Sequence, residues 1–421
     1  MRRIAAPVAI IATLALLTAC SGGDETPETA PEPTTEETTE AEAPADGGTL
    51  TIWVDENREP AVAAAAASFE EATGVTVELV QKNFEDIRAD FLAQVPTGEG
   101  PDITIGAHDW LGSFIVNGVV DSVDLGDTVG DFEAVAVEAF TYDGQLYGLP
   151  YALESIAVVR NTALAPEPTP DTFDAMIEAG RAAGTKLPFV INTNGTTGDA
   201  YTYYAFQTSF GAPVFQQTED GSYTNELGMA GPEGQAYADW LGANGMAGTG
   251  LFSTDWTYDI AVQEFADGNA PYTIAGPWAI AAFTEAGIDV AVDPIPSAGG
   301  QTAAPFVGVQ GFYLSAQTDQ ALVATDFLTN YIATPEAMLA LHEADPRIPA
   351  FSEIAEQVAA DPVIAGFLAS SKNGTPMPSI PEMGNVWEFW NSAEAAIITG
   401  TTAPADAWST MLTDVGAAIG G

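Results

Sequence analysis

Eight tryptophans and two histidines set the chemical range of this chain. A zinc site needs closely spaced His or Cys ligands, but His108 and His342 stand alone and Cys20 is the only cysteine. Serine hydrolysis on an α/β scaffold needs a Gly-x-Ser-x-Gly elbow, and none occurs. There is no P-loop and no Gly-x-Gly-x-x-Gly after a strand. No metal and no cofactor is therefore expected. A carboxylate pair for glycoside hydrolysis stays open, because 59 acidic residues allow many pairs.

The remaining chemistry is aromatic and polar. Several tryptophans sit at loop-like or helix-start positions, mostly beside polar residues: His108-Asp-Trp110, Asp255-Trp-Thr-Tyr258, Gly276-Pro-Trp278 and Asn385-Val-Trp387. A pyranose offers C–H groups on one face and hydroxyls around its rim. An indole packs on the first, and carboxylates, arginines or lysines bond to the second. A single such tryptophan packs a core as readily as it stacks a sugar. Four in these settings favour a carbohydrate.

Net charge is −49, with 59 acidic residues against 10 basic ones. Phosphate contacts need clustered Lys and Arg, so nucleic acid is not an expected partner. The charge instead fits a solvated acidic surface that keeps the chain soluble. Arg2 and Arg3 precede an apolar run, Ile4 to Leu17, that is shorter than the ~20 residues a spanning helix needs. Leu17-Thr-Ala-Cys20 resembles a bacterial lipoprotein cleavage box. The expectation is a signal peptide over 1–19, a lipid on Cys20, and residence on the extracellular face of the cytoplasmic membrane. Residues 21–48 are Ser, Gly, Thr, Pro, Ala, Asp and Glu with no apolar period, nine of the 28 being acidic. They read as a disordered tether.

Folded sequence begins at Thr49. Thr49–Val54 reads as a strand, Glu59–Thr73 as an Ala-rich helix ended by Gly74, and Val75–Val80 as a strand. Asp86–Gln94 reads as a helix and Pro101–Gly106 as a strand. Alternation of this kind implies parallel pairing with right-handed crossovers. Gly144 marks a hairpin and Tyr147 to Pro150 a turn. Asp319–Tyr331 and Pro335–Glu343 read as helices, the second with Thr334 as N-cap.

An ordered set of segments resembles the maltose/maltodextrin-binding family of extracytoplasmic solute-binding proteins of ABC importers. The set is Leu50-Thr-Ile-Trp53, Gly98-Glu-Gly-Pro-Asp-Ile103, Ala107-His-Asp109, Leu149-Pro-Tyr-Ala-Leu-Glu154, Gly276-Pro-Trp278, Pro305-Phe-Val-Gly308 and Met377-Pro-Ser-Ile-Pro-Glu-Met383. The resemblance implies an α/β fold of two lobes, the type II maltose-binding-like arrangement, with a hinge and a central cleft. Lobe one would comprise 49–153 and 312–357, and lobe two 154–311 and 358–421. The chain would cross between them near 151–156, 307–310 and 355–362.

By matched motif, the resemblance makes Asp109 and Glu154 acceptors of sugar hydroxyls and Arg58 a donor. It places Asp199, Tyr201 and Tyr258 at ligand-contact positions and makes Trp278 and Trp387 stacking platforms. Departures are visible too. Gly106 stands where maltose-binding members carry tryptophan, and Trp110 and Asn391 stand where they carry arginine. Stacking in lobe one is therefore expected to have moved to Trp110. A few extra residues between Glu78 and Gly98 reshape the cleft-edge segment Lys82–Asp86, where Glu85 or Asp86 reaches the ligand or serves as a helix N-terminal charge. The implied activity is binding without catalysis: a maltooligosaccharide or related α-glucoside is captured by a monomer and handed to the permease subunits of the importer. The alternatives are an exported glycoside hydrolase and a surface carbohydrate receptor without transport.

Overall fold

The computed structural model describes residues 48–218 and 223–420. The signal peptide, the lipidation of Cys20 and most of the tether fall outside them. The strands that position the site are β1 (Thr49–Val54), β2 (Thr76–Gln81), β3 (Ile103–Ala107), β4 (Gly148–Ser155), β5 (Ala157–Asn161), β6 (Val190–Ile191), β7 (Tyr272–Ala275), β8 (Val290–Asp293) and β9 (Phe306–Ser315). The helices that matter most are α1 (Glu59–Thr73), α2 (Phe84–Gln94), α3 (Ala200–Ser209) and α4 (Trp387–Thr399).

Two main sheets result. The first runs Ile348–Pro349, β4, β9, β3, β1, β2, and the second β8, β5, β7, β6. β1 pairs in parallel with β2 and β3, as crossover helices require, while β9 is antiparallel to both β3 and β4. α1 supplies the first crossover. It buries Ala61, Val62, Ala65, Ala66 and Phe69 on one stripe and ends where Gly74 adopts φ 75°. β4 is buried at every residue and β9 at nearly every one, the signature of strands covered on both faces.

Most sequence-predicted elements recur with ends shifted by one or two residues. Two expectations change. The stretch 319–331 is α-helical only over Ala321–Phe327 and continues as a π-helix over Leu328–Ile332. The predicted turn at 147–150 is instead the start of β4. Proline is tolerated there because the register slips. Gln310 opposes Ala152 and Gly311 opposes Pro150, so Tyr151 is an extra residue with no partner of its own. A bulge needs no N–H from Pro150, and it re-aims the Tyr151 side chain.

β4 ends at Ser155 and β5 begins at Ala157, so Ile156 alone carries the chain from one sheet to the other. It is 1% exposed, and its carbonyl accepts a 2.8 Å hydrogen bond from Ser370.

Candidate functional site

β3 delivers the first site residues. Its end runs into a tight turn, His108–Trp110, buried at all three positions. His108 Nδ1 accepts from the Val309 amide at 3.0 Å, so Nε2 carries the proton that it donates to the Met377 carbonyl at 2.9 Å. Burial pulls its pKa down, and the ring is a neutral clamp between β3, β9 and the 377 segment. That clamp fixes the turn that carries Asp109, which is 5% exposed. Burial raises the Asp109 pKa against the opposing pull of His108 and Arg88 and a hydrogen bond from Trp387. Its Oδ1 has no hydrogen-bond partner among the described residues.

A second group surrounds the bulge at Tyr151. Arg58, 2% exposed, donates from Nε to the Tyr151 hydroxyl at 2.5 Å, pairs through Nη1 with Asp55, and lies 3.3 Å from Asp345. Arg347 reaches the same hydroxyl at 3.0 Å, pairs with Asp345, and places Nε 2.7 Å from Glu154 Oε2. Gln310 donates to Glu154 Oε1 at 2.9 Å. Two guanidinium groups thus sit among three carboxylates with little access to water. Burial pushes the Tyr151 pKa up to about 12 despite the two arginines, so the hydroxyl keeps its proton. Arg58 Nη2 and Gln310 Oε1 have no hydrogen-bond partner among the described residues.

A third group supplies rings. Trp278 follows β7 in the turn Pro277–Ala279 and is half-buried. A Cβ at Gly276 would lie 2.1 Å from its indole, so only glycine lets the ring lie back on the chain. The Arg347 guanidinium carbon stands 5.4 Å over that ring, and the Tyr201 ring lies 6.5 Å away at 41°. Tyr201 is the second residue of α3. Burial, then the nearby Glu154 carboxylate, raises its pKa well above 10, and its hydroxyl has no hydrogen-bond partner among the described residues. Trp387 opens α4, half-buried and stacked on Trp390 at 5.6 Å and 14°. Trp390 is fully buried and donates from Nε1 to Gln207 at 3.1 Å.

Arg58, Asp109, Glu154, Tyr201, Trp278 and Trp387 are therefore linked into one region. The remaining expected residues stand differently. Asp199 is the N-cap of α3: it accepts from the Thr202 amide at 3.1 Å, the Thr202 hydroxyl at 2.6 Å and Asn192 at 2.6 Å. Asn391, at a family arginine position, accepts from the Ala200 amide at 2.8 Å and so braces the same helix start. Tyr258 is 40% exposed at the rim. Trp110 is only 8% exposed. Of the segment Lys82–Asp86, Asn83 caps α2 by accepting from the Glu85 amide at 3.1 Å, which places Glu85 and Asp86 in the first turn.

The sequence reading missed Arg347, Gln310, Tyr151 and Arg88. One signal was available for Arg347: in a chain with 10 cationic residues, Asp345-Pro-Arg347 sits amid apolar sequence.

The site offers aromatic surface, unfilled donors and unfilled acceptors, which suits a neutral polyhydroxylated ligand. The profile of the bacterial extracellular solute-binding protein family matches residues 64–366, and the chain belongs to that family. Its relatives place it in the maltose/maltodextrin-binding branch that serves ABC importers. A maltotriose-binding protein of Pyrococcus abyssi is 30% identical over 327 residues, covering 74% of this chain and 68% of that one. A galactooligosaccharide-binding protein of Bacillus subtilis is 25% identical over 386 residues, 88% of this chain and 89% of the relative. Others carry names as maltodextrin-binding or maltooligosaccharide ABC-transporter proteins, one of them a pneumococcal lipoprotein. Among solved structures, the Thermus thermophilus maltotriose-binding protein bound with maltotriose superposes with a TM-score of 0.80 at 28% identity, covering 88% of this chain and all of the other. These relatives are all named as binding proteins.

Proposed function

We propose that this chain is the sugar-capturing subunit of an ABC importer. It takes a maltooligosaccharide or related α-glucoside into the interlobe cleft, closes on it, and delivers it to the permease. In this reading lobe one is 49–153 with 312–357, lobe two is 154–311 with 358–421, and a lipid on Cys20 holds the chain on the outer face of the cytoplasmic membrane. Trp278 and Trp387 stack on sugar faces. Asp109 and Glu154 accept hydroxyl protons, while Arg58 and Tyr201 donate.

One observation carries this. Arg58 Nη2, Asp109 Oδ1, Tyr201 OH and Gln310 Oε1 are buried with no hydrogen-bond partner among the described residues, in the region where two half-buried tryptophans stand. Buried polar atoms are nearly always paired, so a cluster of unpaired ones marks a place where a ligand completes the bonds. A sugar hydroxyl both donates and accepts, so one ligand type serves donors and acceptors alike. The ligand shifts the open–closed balance only through contacts it makes better in the closed form, and residues on both lobes provide them.

Calorimetry with maltose, maltotriose and longer glucans tests the proposal, with β-galactotriose beside them because one relative is named for galactooligosaccharides. Binding of maltotriose on the order of micromolar is expected, corresponding to about −8 kcal/mol. Heat from β-galactotriose alone overturns the α-glucoside assignment. Intact maltohexaose after prolonged incubation separates a binder from a hydrolase.

A further inference from the structure

The expectation for lobe one was that Trp110 supplies the stacking surface. Its environment says otherwise. Trp110 is enclosed by Phe114, 6.0 Å away at 68°, and by Gly106, where even a Cβ would come within 2.5 Å of the indole. Phe84 lies over it, centroid to centroid 5.2 Å at 33°. The Arg58 guanidinium carbon stands 5.0 Å from the centre of that same phenyl ring. Phe84 is the half-buried member of this stack, while Trp110 and Arg58 are buried. Phe84 also belongs to the segment that the sequence marked as reshaped, and the Asn83 cap fixes the turn on which it rides.

We propose that Phe84, backed by Trp110 and flanked by Arg58, is the lobe-one surface on which a pyranose ring packs, and that it helps to set ligand choice. The inference rests on the sugar-binding reading above. Glycine at 106 leaves the strand end bare, the Trp110 indole fills the space, and the phenyl ring covers the indole. The aromatic surface thereby moves outward from the strand to the first turn of α2. Contact with the Arg58 π-cation partner holds the ring flat beside an unfilled guanidinium nitrogen, so one sugar unit meets a C–H-binding face and a hydroxyl-binding donor together. The next residue, Glu85, is exposed, and desolvation and then the charges of Asp199 and Asp86 raise its pKa.

The test compares Phe84→Leu with Phe84→Tyr by calorimetry against maltotriose and β-galactotriose, with melting temperatures measured alongside. Leucine still covers Arg58 and Trp110 but has no π face, whereas tyrosine keeps it. The expected result is a loss of about tenfold in maltotriose affinity for Phe84→Leu at near-unchanged melting temperature, and near-wild-type affinity for Phe84→Tyr. If Phe84→Leu melts early, Phe84→Met replaces it as the apolar variant without a ring. Wild-type affinity in either apolar variant overturns the inference while leaving the sugar-binding reading intact. No heat from the wild-type chain with either trisaccharide removes the functional reading and this inference with it.

Discussion

The two walls of the cleft solve the same problem with different materials. In the proposed lobes, the wall of lobe one presents charge: Arg58 and Arg347 meet at the Tyr151 hydroxyl with Asp55 and Asp345, and Arg347 reaches across to Glu154 at the crossing. The wall of lobe two presents rings: Tyr201, Trp278 and Trp387, supported from behind by Phe306 and Trp390. Behind the ring wall lies a buried acid, Glu394, and burial pushes its pKa up to about 8, so it is neutral at pH 7. A charged wall needs internal pairing to exist at all, because a lone buried ion is costly. An aromatic wall needs only shape, so its residues are free to spend their contacts on ligand. The two walls should therefore fail differently when damaged.

The largest effect is expected at Arg347. Arg347→Met removes one cation from three buried carboxylates, and breaking such a network costs about 3–5 kcal/mol of folding stability. Thermal or urea unfolding reads this directly. An unchanged melting temperature would break the comparison, since the charged wall would then not depend on its pairing.

Trp387→Ala should do the converse. It removes a stacking ring and the donor that Asp109 accepts from, and the loss of a central aromatic anchor weakens binding about thirtyfold. Stability should change less than in Arg347→Met, because the indole is already half-exposed. Calorimetry on the two variants together sharpens the contrast: one lowers melting, the other lowers affinity.

The smallest effect is a pH dependence of the ring wall. Glu394 Oε1 accepts from the Tyr237 hydroxyl at 2.7 Å, and its other oxygen has no hydrogen-bond partner among the described residues. The folded-state pKa of about 8 exceeds the ordinary 4.5, so between those values the folded chain holds a proton that the unfolded chain has released. Stability from this group falls as pH rises from about 4.5 to about 8 and is flat on either side. Glu394→Gln should flatten that slope in melting curves taken from pH 5 to pH 8. A slope that survives the substitution assigns the effect to other groups.

Much of lobe one's scaffold was legible because it is local. The period of apolar residues from Ala61 to Phe69 and the stop at Gly74 need no tertiary information. Trp278 and Trp387 were legible as candidates because each sits at a helix-like start beside polar residues. Arg347 and Gln310 were not, since nothing near them in sequence announces that Glu154 lies within 3 Å of both. Pro150 misled for a related reason: a proline reads as a turn unless the partner strand, more than 150 residues away, is known to slip its register there. Asp199 shows a third limit. An acid before an aromatic residue fits a ligand contact and a helix cap equally well, and only the bonds to Thr202 reveal the cap.

Ile156 has a mechanical consequence. A joint one residue long, tied at its carbonyl by Ser370, gives the chain no slack beyond a single ~3.3 Å step. In the proposed reading the jaws swing about that point without drifting apart along it. Shutting them then freezes few degrees of freedom, so little of a guest's attraction is consumed in taming a loose connector, and more is left to show as tightness of grip.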